Sequence, residues 1–361
     1  MSLIFIFRSL TRGIFSIAPD FGVLWTGAGD LIKGNNPYTN PNLFTGIGYP
    51  PNSLLFYLPF TLIPYQTAQG LFTILSFVSS IGIILVSFKI LRGNFFWQTF
   101  LVAFSLTFFS FPTKFTLGMG QNNLIAFFLL ILAYYFYKER KLESAGFILG
   151  MSIALKTIFV FFVLFFVLKK QWKIVIFTVL MMVTTVVITA FFFDSNLYIY
   201  YIKEVVPPLF NLSGREIYYN QGVMGFVSRL ISDLNIRKYL NLIMSLFVIT
   251  MVSWPAFYKK FDKDLQFSLF VNAILLIDTI SWQHHFVWLI FPFIVLTTYT
   301  LRRKLYWALG LVFVSYLLVS WNFKNPSQFS EFPLSLLLSN TFYGTLLLFA
   351  TNYILLLKTR R

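Results

Sequence analysis

Apolar residues in this chain run rather than alternate. Long apolar stretches cover about 67–88, 97–112, 122–137, 171–193, 239–257, 265–280, 285–301, 305–321 and 336–357, separated by short polar or basic clusters. Their lengths lie near the ~17–25 residues that a helix needs to cross hydrocarbon. The run at 143–168 holds Lys156 at its middle. A lysine at mid-bilayer costs ~2.5–3.5 kcal/mol on insertion scales, so the pattern predicts two short helices, 143–155 and 157–168, meeting at Lys156. Residues 1–18 are apolar but carry Arg8 and Arg12; they fit neither a signal peptide nor a full span and read as a shortened first helix. Residues 53–64 form a short apolar piece bracketed by Pro51 and Pro64. The pattern as a whole predicts an all-α, polytopic integral membrane protein with about 10–12 membrane segments.

Composition agrees. Of 361 residues, 58% are hydrophobic and 11% charged, against about 45–50% and 25% in soluble domains. There is no cysteine, and the two histidines are adjacent, which excludes disulfides, thiolate metal sites and a three-histidine zinc site. The net charge of +16 would suggest nucleic acid in a soluble protein. Here the cations cluster between apolar runs, as topology signals and contacts to lipid headgroups do, so the expected partners are membrane lipids and not nucleic acid.

Charge also sets an orientation. With Lys138, Arg140 and Lys141 inside, alternation brings to the same side Lys89 and Arg92, Lys169, Lys170 and Lys173, Lys259, Lys260 and Lys263, Arg302, Arg303 and Lys304, and Lys358, Arg360 and Arg361. This satisfies the positive-inside rule for a multi-pass protein of the cell membrane, of the bacterial inner or plasma membrane type. The outer face then carries 19–52, 113–121, 194–235 and 322–335, and chemistry is expected there.

Five constellations on that face can carry chemistry. Asp20, followed by Asn36-Pro37-Tyr38 and Tyr49-Pro50-Pro51, is either a general base for a hydroxyl nucleophile or the cap of a helix over 21–33. Asp30 is a weaker base candidate on the same helix. Gly118-Met119-Gly120-Gln121-Asn122-Asn123 opens a span; Gln121 and Asn122 suit sugar hydroxyls or phosphate, unless Asn122 simply caps. Ala145-Gly146 through Gly150 allows close helix approach, and Lys156 beyond it can pair with a lipid phosphate or snorkel to headgroups. Asn220 and Gln221 precede Arg229, which suits a phosphate bidentately or anchors a peripheral helix. Ser281-Trp282-Gln283-His284-His285 joins two spans, with Asp278 one turn earlier. That set is either a site or an interfacial aromatic belt.

Taken in order, from about residue 20 to 300, these pieces resemble glycosyltransferase family 87 of the GT-C superfamily, integral membrane enzymes similar to polyprenyl-phosphate-mannose-dependent α-mannosyltransferases. The prolines usual shortly after the Lys156 position and before Ser281 are replaced by Thr157-Ile158 and Thr279-Ile280. The resemblance implies one GT-C-like transmembrane domain over 1–361. It implies a polyprenyl-phosphate-sugar donor, with mannose the expected hexose, and a lipid or glycan acceptor at the outer face. Transfer would be inverting, with no metal and no cofactor. Asp20 takes the family's base position. Lys156, Arg229 and His285 become candidates for the donor phosphate, and Trp25, Tyr38 and Trp282 for stacking on sugar rings. His285 is favoured over His284 because at helical spacing it shares a face with Leu289 and Pro292. A transporter or flippase of lipid-linked sugars, or an outer-face oligosaccharide ligase or polymerase, are the rival readings.

Overall fold

A computed structural model describes residues 18–92, 97–210, 214–258, 260–329 and 331–359, together with Thr11 and Ile14. The shortened first helix expected over 1–18, with Arg8 and Arg12, and the inner-face cations Lys259, Arg360 and Arg361 lie outside the described residues. In chain order the α-helices are α1 (Pro19–Ile32), α2 (Tyr65–Ile90), α3 (Trp97–Phe109), α4 (Phe111–Met119), α5 (Asn123–Lys138), α6 (Leu142–Leu155), α7 (Phe161–Leu168) and α8 (Trp172–Phe192). There follow α9 (Asn196–Tyr200), α10 (Val206–Leu209), α11 (Val223–Leu230), α12 (Leu234–Ala256), α13 (Lys263–Ile277), α14 (Ile290–Arg302), α15 (Tyr306–Ser320) and α16 (Asn340–Lys358). Among the described residues there is no strand, only one antiparallel bridge between Asn220 and Trp282.

The protein is all-α and polytopic. Among the described residues five stretches are long and apolar enough to cross a membrane: Tyr65–Ile90, Trp172–Phe192, Leu234–Ala256, Gln283–Arg302 and Leu334–Lys358. Helices α3 and α4 qualify as a bent pair, and α5, α6, Thr157–Leu168 and α15 are shorter apolar helices.

Several boundaries differ from the sequence expectation, each for a local reason. The run 97–112 is not one span: it breaks at Ser110, and α3 and α4 bend by 64°. Pro112 cannot donate and its ring would clash inside a continuous helix, whereas the first turn of a new helix accepts it. Residues 113–121, expected as a polar loop, are therefore mostly the rest of α4. The piece 53–64 is a 3-10 helix, Pro51–Leu62, with Pro59 inside it. The span expected at 285–301 starts as a 3-10 helix, Gln283–Leu289, before α14; Pro292 lacks the N–H that an earlier α-helical start would have used. Helix α12 begins at Leu234, five residues before the expected 239, because Asp233 caps it by accepting from Ile236 N at 2.9 Å. The break at Lys156 is found as expected: α6 ends at Leu155, Lys156 takes φ −141° and ψ 89°, and a 3-10 turn, Thr157–Val160, leads into α7.

The chain separates into two compact units, Met1–Ile83 with Lys114–Val167 and Gln171–Asn211, and Ile84–Thr113 with Leu168–Lys170 and Leu212–Arg361. In the first, α6 packs on both α5 and α8. The approach to α8 needs glycine: a Cβ at Gly146 would lie 2.6 Å from Ile174 O, and one at Gly150 would lie 2.9 Å from Thr178 O. Helix α1 packs on Pro51–Leu62, pinned by Phe21, whose buried ring meets Phe72, Phe60 and Tyr57 at 4.8, 6.0 and 6.2 Å. In the second unit, α13 packs on α12, α14 and α16.

Among the described residues four helix ends close on a basic residue in the left-handed region: Arg92 (φ 47°), Arg140 (φ 59°), Lys170 (φ 55°) and Lys304 (φ 55°). Around Arg140 the closing bonds are Lys141 N to Phe136 O at 2.9 Å and Arg140 N to Tyr137 O at 3.1 Å. That is the Schellman pattern, which glycine usually occupies.

Candidate active site

In the first unit the sequence candidates Asp20, Gln121, Asn122 and Lys156 come together. Helix α1 starts at Pro19, so Asp20 lies in its first turn and Ala18 is the cap residue; the capping alternative for Asp20 is overturned because proline favours the first helical position. Its carboxylate accepts from Gln121 Nε2 at 2.6 Å. Gln121 in turn accepts from Lys156 Nζ at 3.4 Å, and Lys156 Nζ donates to the Tyr49 hydroxyl at 2.7 Å. Asp20 is half-buried, and burial pushes its carboxyl above the usual carboxylate range, against the Gln121 hydrogen bond and the Lys156 charge, which pull it down.

Glycine builds this contact. Helix α4 ends in a Schellman motif, with Gln121 N on Thr116 O at 3.0 Å and Gly120 N on Leu117 O at 3.2 Å, around Gly120 at φ 66°. A Cβ on Gly120 would meet Phe21 Cβ at 2.6 Å and Ala18 Cβ at 2.8 Å. The turn thus lies directly against the start of α1 and delivers Gln121 to Asp20. Asn122 does not cap α5 with its side chain; its Nδ2 donates to Leu155 O at 2.8 Å, holding the chain beside Lys156. Ser53 Oγ reaches Ala154 O at 2.6 Å and Asn52 Nδ2 reaches Thr185 Oγ1 at 3.3 Å, which anchors Pro51–Leu62 to α6 and α8.

The two aromatic candidates of this unit have structural partners. Trp25 Nε1 donates to Phe60 O at 2.8 Å, and its ring lies edge-on to Tyr65. Tyr38 donates to Tyr49 O at 2.9 Å and stacks on Tyr200, with centroids 6.1 Å apart. Asp30 accepts from Asn40 Nδ2 at 2.7 Å and is 8% exposed, a structural tie for the loop after α1.

The second unit gathers Asn220, Gln221, Arg229, Trp282, His284 and His285. Gln221 N donates to Ser281 O at 2.7 Å and Gln283 N to Tyr219 O at 2.8 Å, flanking the Asn220–Trp282 bridge. Asn220 Oδ1 accepts from Ser281 N at 3.0 Å, and the fully buried Gln221 side chain bonds Leu338 O and Phe342 N. Gly222 permits the close approach: a Cβ there would lie 2.8 Å from Asp278 O. Arg229 spends its guanidinium on Asn220 O, Ile217 O, Glu216 O and Ser339 Oγ, between 2.9 and 3.4 Å. Desolvation lowers its pKa to about 10. His284 and His285 are both buried, at 5% and 7% exposure, so the picture of two wet histidines in an interfacial belt is overturned. The His285 ring stacks on Trp288 at 5.0 Å and 7°, its Nδ1 lies 3.8 Å from Asp278 Oδ2, and His284 stands edge-on at 4.6 Å. The α-helical face argument for His285 gives way to 3-10 geometry, ~120° per residue. Among the described residues no three His, Asp or Glu side chains converge.

The sequence pattern of glycosyltransferase family 87 matches residues 47–292. The chain belongs to that family. As a family 87 member it is a membrane glycosyltransferase. The match takes in Gln121, Asn122, Lys156, Asn220, Gln221, Arg229, Trp282, His284 and His285, and begins after Asp20, Trp25 and Tyr38. No curated protein matches the chain. For this glycosyltransferase, sequence reasoning quoted Tyr49 only within a motif, and missed it as a partner of Lys156. The two are 107 positions apart, and only an unexplained tyrosine before Pro50-Pro51 could have signalled it.

Proposed function

We propose that this glycosyltransferase moves a hexose, mannose in the first instance, from a polyprenyl-phosphate donor to a hydroxyl of a lipid or glycan acceptor at the outer face of the cell membrane. All of 1–361 would serve as one transferase domain. The observation that carries the reading is the Asp20 carboxylate: half-buried, lifted in pKa by burial, and oriented by Gln121. A base of raised pKa is suited to take a proton as the acceptor attacks. The acceptor oxygen forms a bond to the anomeric carbon from the side opposite the phosphate. Its proton passes to Asp20, and the bond from anomeric carbon to phosphate oxygen breaks with its electron pair on the lipid phosphate. Attack from the far side inverts the centre. The leaving phosphate is anionic and needs hydrogen-bond donors more than a strong acid. Within the second unit taken by itself, Arg229 is occupied by backbone carbonyls, which leaves His285 as that unit's candidate for hydrogen bonding a phosphate.

The test is transfer of radiolabelled sugar from polyprenyl-phosphate-mannose in membranes carrying the wild-type chain or Asp20→Asn. Wild type should label a lipid or glycan product, and Asp20→Asn should lose about 10²–10⁴-fold in turnover while inserting normally. Near-normal turnover in the inserted mutant removes Asp20 as base. Labelling only from nucleotide-linked or diphosphate-linked donors removes the proposed donor class.

A further inference from the structure

Lys156 was a candidate for the donor phosphate, but its surroundings argue for another role. Its side chain is only 4% exposed, although it stands at the break between α6 and the 3-10 turn Thr157–Val160 and carries the charge that a phosphate would seek. Its ammonium lies 2.7 Å from the Tyr49 hydroxyl and 3.4 Å from Gln121 Oε1. We propose that Lys156 is a positioning residue for the base: through Gln121 it fixes the donor that holds Asp20, and it does not anchor the donor phosphate. This rests on Asp20 as the base.

The argument is one of donor and acceptor inventory. An ammonium only donates, and an amide has one oxygen and one NH₂. With Lys156 beside it, Gln121 must turn its oxygen to the ammonium, which leaves the NH₂ for Asp20 at 2.6 Å. Without the cation the amide can also turn its oxygen to a protonated Asp20 and accept from it, an arrangement that favours the neutral acid over the ionised base. The relay is braced on both sides. Asn122 Nδ2 on Leu155 O binds the residue after Gln121 to the residue before Lys156. Tyr49 is placed by Tyr38, which donates to its carbonyl at 2.9 Å, and the neighbouring Gly48 carbonyl accepts from the Tyr201 hydroxyl at 3.2 Å. The Tyr49 ring also lies 5.3 Å from the ammonium, a cation–π distance.

The titratable groups around Asp20 come from every element packed there. They are Lys156 from the break after α6, Tyr49 from the preceding loop, Tyr57 from Pro51–Leu62 and Tyr65 from α2, whose hydroxyl donates to Ala18 O at 3.3 Å. The tyrosines are neutral near pH 7, so the cation is the member of this set that favours an ionised Asp20.

Lys156→Met removes the charge and frees the amide. Lys156→Arg keeps a cation that only donates. Tyr49→Phe keeps the lysine and removes its acceptor, and serves if the methionine variant does not fold. Two readouts are needed: the pH profile of kcat/KM with polyprenyl-phosphate-mannose, and infrared titration of the Asp20 carboxyl in purified protein, taken as a difference against Asp20→Asn. Because the base must be ionised, losing the cation moves the acid limb upward. An upward shift is expected in both readouts for Lys156→Met, a smaller one for Tyr49→Phe, and most of it should be reversed in Lys156→Arg. The KM for the donor should stay at its wild-type value. An unmoved carboxyl titration in Lys156→Met overturns the relay whatever the activity, and a raised donor KM with an unmoved acid limb would make Lys156 a phosphate anchor instead. If the carboxyl shifts as expected but Asp20→Asn still turns over, the relay stands as geometry and it is the base reading that falls.

Discussion

Replacing Gly120 with alanine should damage this protein far more than the same change two residues earlier. Gly120 adopts φ 66°, a region that costs an L-residue about 1 kcal/mol or more. Its new Cβ would sit 2.6 Å from Phe21 Cβ and 2.8 Å from Ala18 Cβ, and overpacking of that kind costs ~1–3 kcal/mol. Together the loss is about 2–4 kcal/mol. Relief can come only by pushing the start of α1 away from the turn, since Phe21 is wholly buried among Phe72, Phe60 and Tyr57. That movement separates Asp20 from Gln121, and misplacement by ~1 Å can cost about 100-fold in rate. Gly118 has nothing within 4 Å of its Cβ position and lies within α4, so alanine there should be neutral or stabilise by up to ~1 kcal/mol. Thermal unfolding in detergent, with transfer rates in membranes, checks both. Equal stability and equal rates for the two variants would refute the claim that this turn is seated against α1.

Arg229→Lys should destabilise the second unit by about 1–3 kcal/mol, because an ammonium cannot span the carbonyls of Ile217 and Asn220 and Ser339 Oγ together; an unchanged melting temperature with a raised donor KM would instead make it a phosphate ligand. His285→Ala should lower turnover about 10–100-fold, the worth of one hydrogen bond to a charged group, and more than His284→Ala, measured as sugar transfer against acceptor binding; equal, mild effects from both would return the pair to a structural role. Because the chain has no cysteine, single cysteines at Ser195 and Ser144 can be tested with impermeant thiol reagents added from outside. Ser195 should label and Ser144 should not, and the reverse would invert the topology.

Much of the architecture was legible because a bilayer permits so few patterns. The insertion cost of Lys156 alone placed the break between α6 and α7, without the proline that the family usually has there. Where local proline chemistry decided the outcome, the apolar run misled: Pro112 split 97–112, and Pro292 delayed the start of α14. The capping alternative for Asp20 stood open because hydropathy marks only the run, whereas Pro19 marks the first helical position. The candidate site was legible residue by residue but not as a circuit. Gln121 was read for sugar and Lys156 for phosphate, because a sequence shows what a side chain can do and not who already occupies it. Arg229 is the sharpest instance, since the carbonyls it binds belong to a loop whose path depends on contacts with residues 281–283 and 338–342.

The left-handed turns at Arg92, Arg140, Lys170 and Lys304 set two selection pressures against each other. Each falls in a cluster that the charge argument assigns to the inner face. A stabilisation campaign guided by backbone strain would choose glycine at all four, gaining up to ~1 kcal/mol apiece. The same exchange would strip four cations from the segments that tell the insertion machinery which way to thread the chain, and from helix ends whose dipoles favour them. A variant optimised for its melting temperature could therefore fold better and yet be delivered in mixed orientation. Engineering of this enzyme should score membrane topology alongside stability.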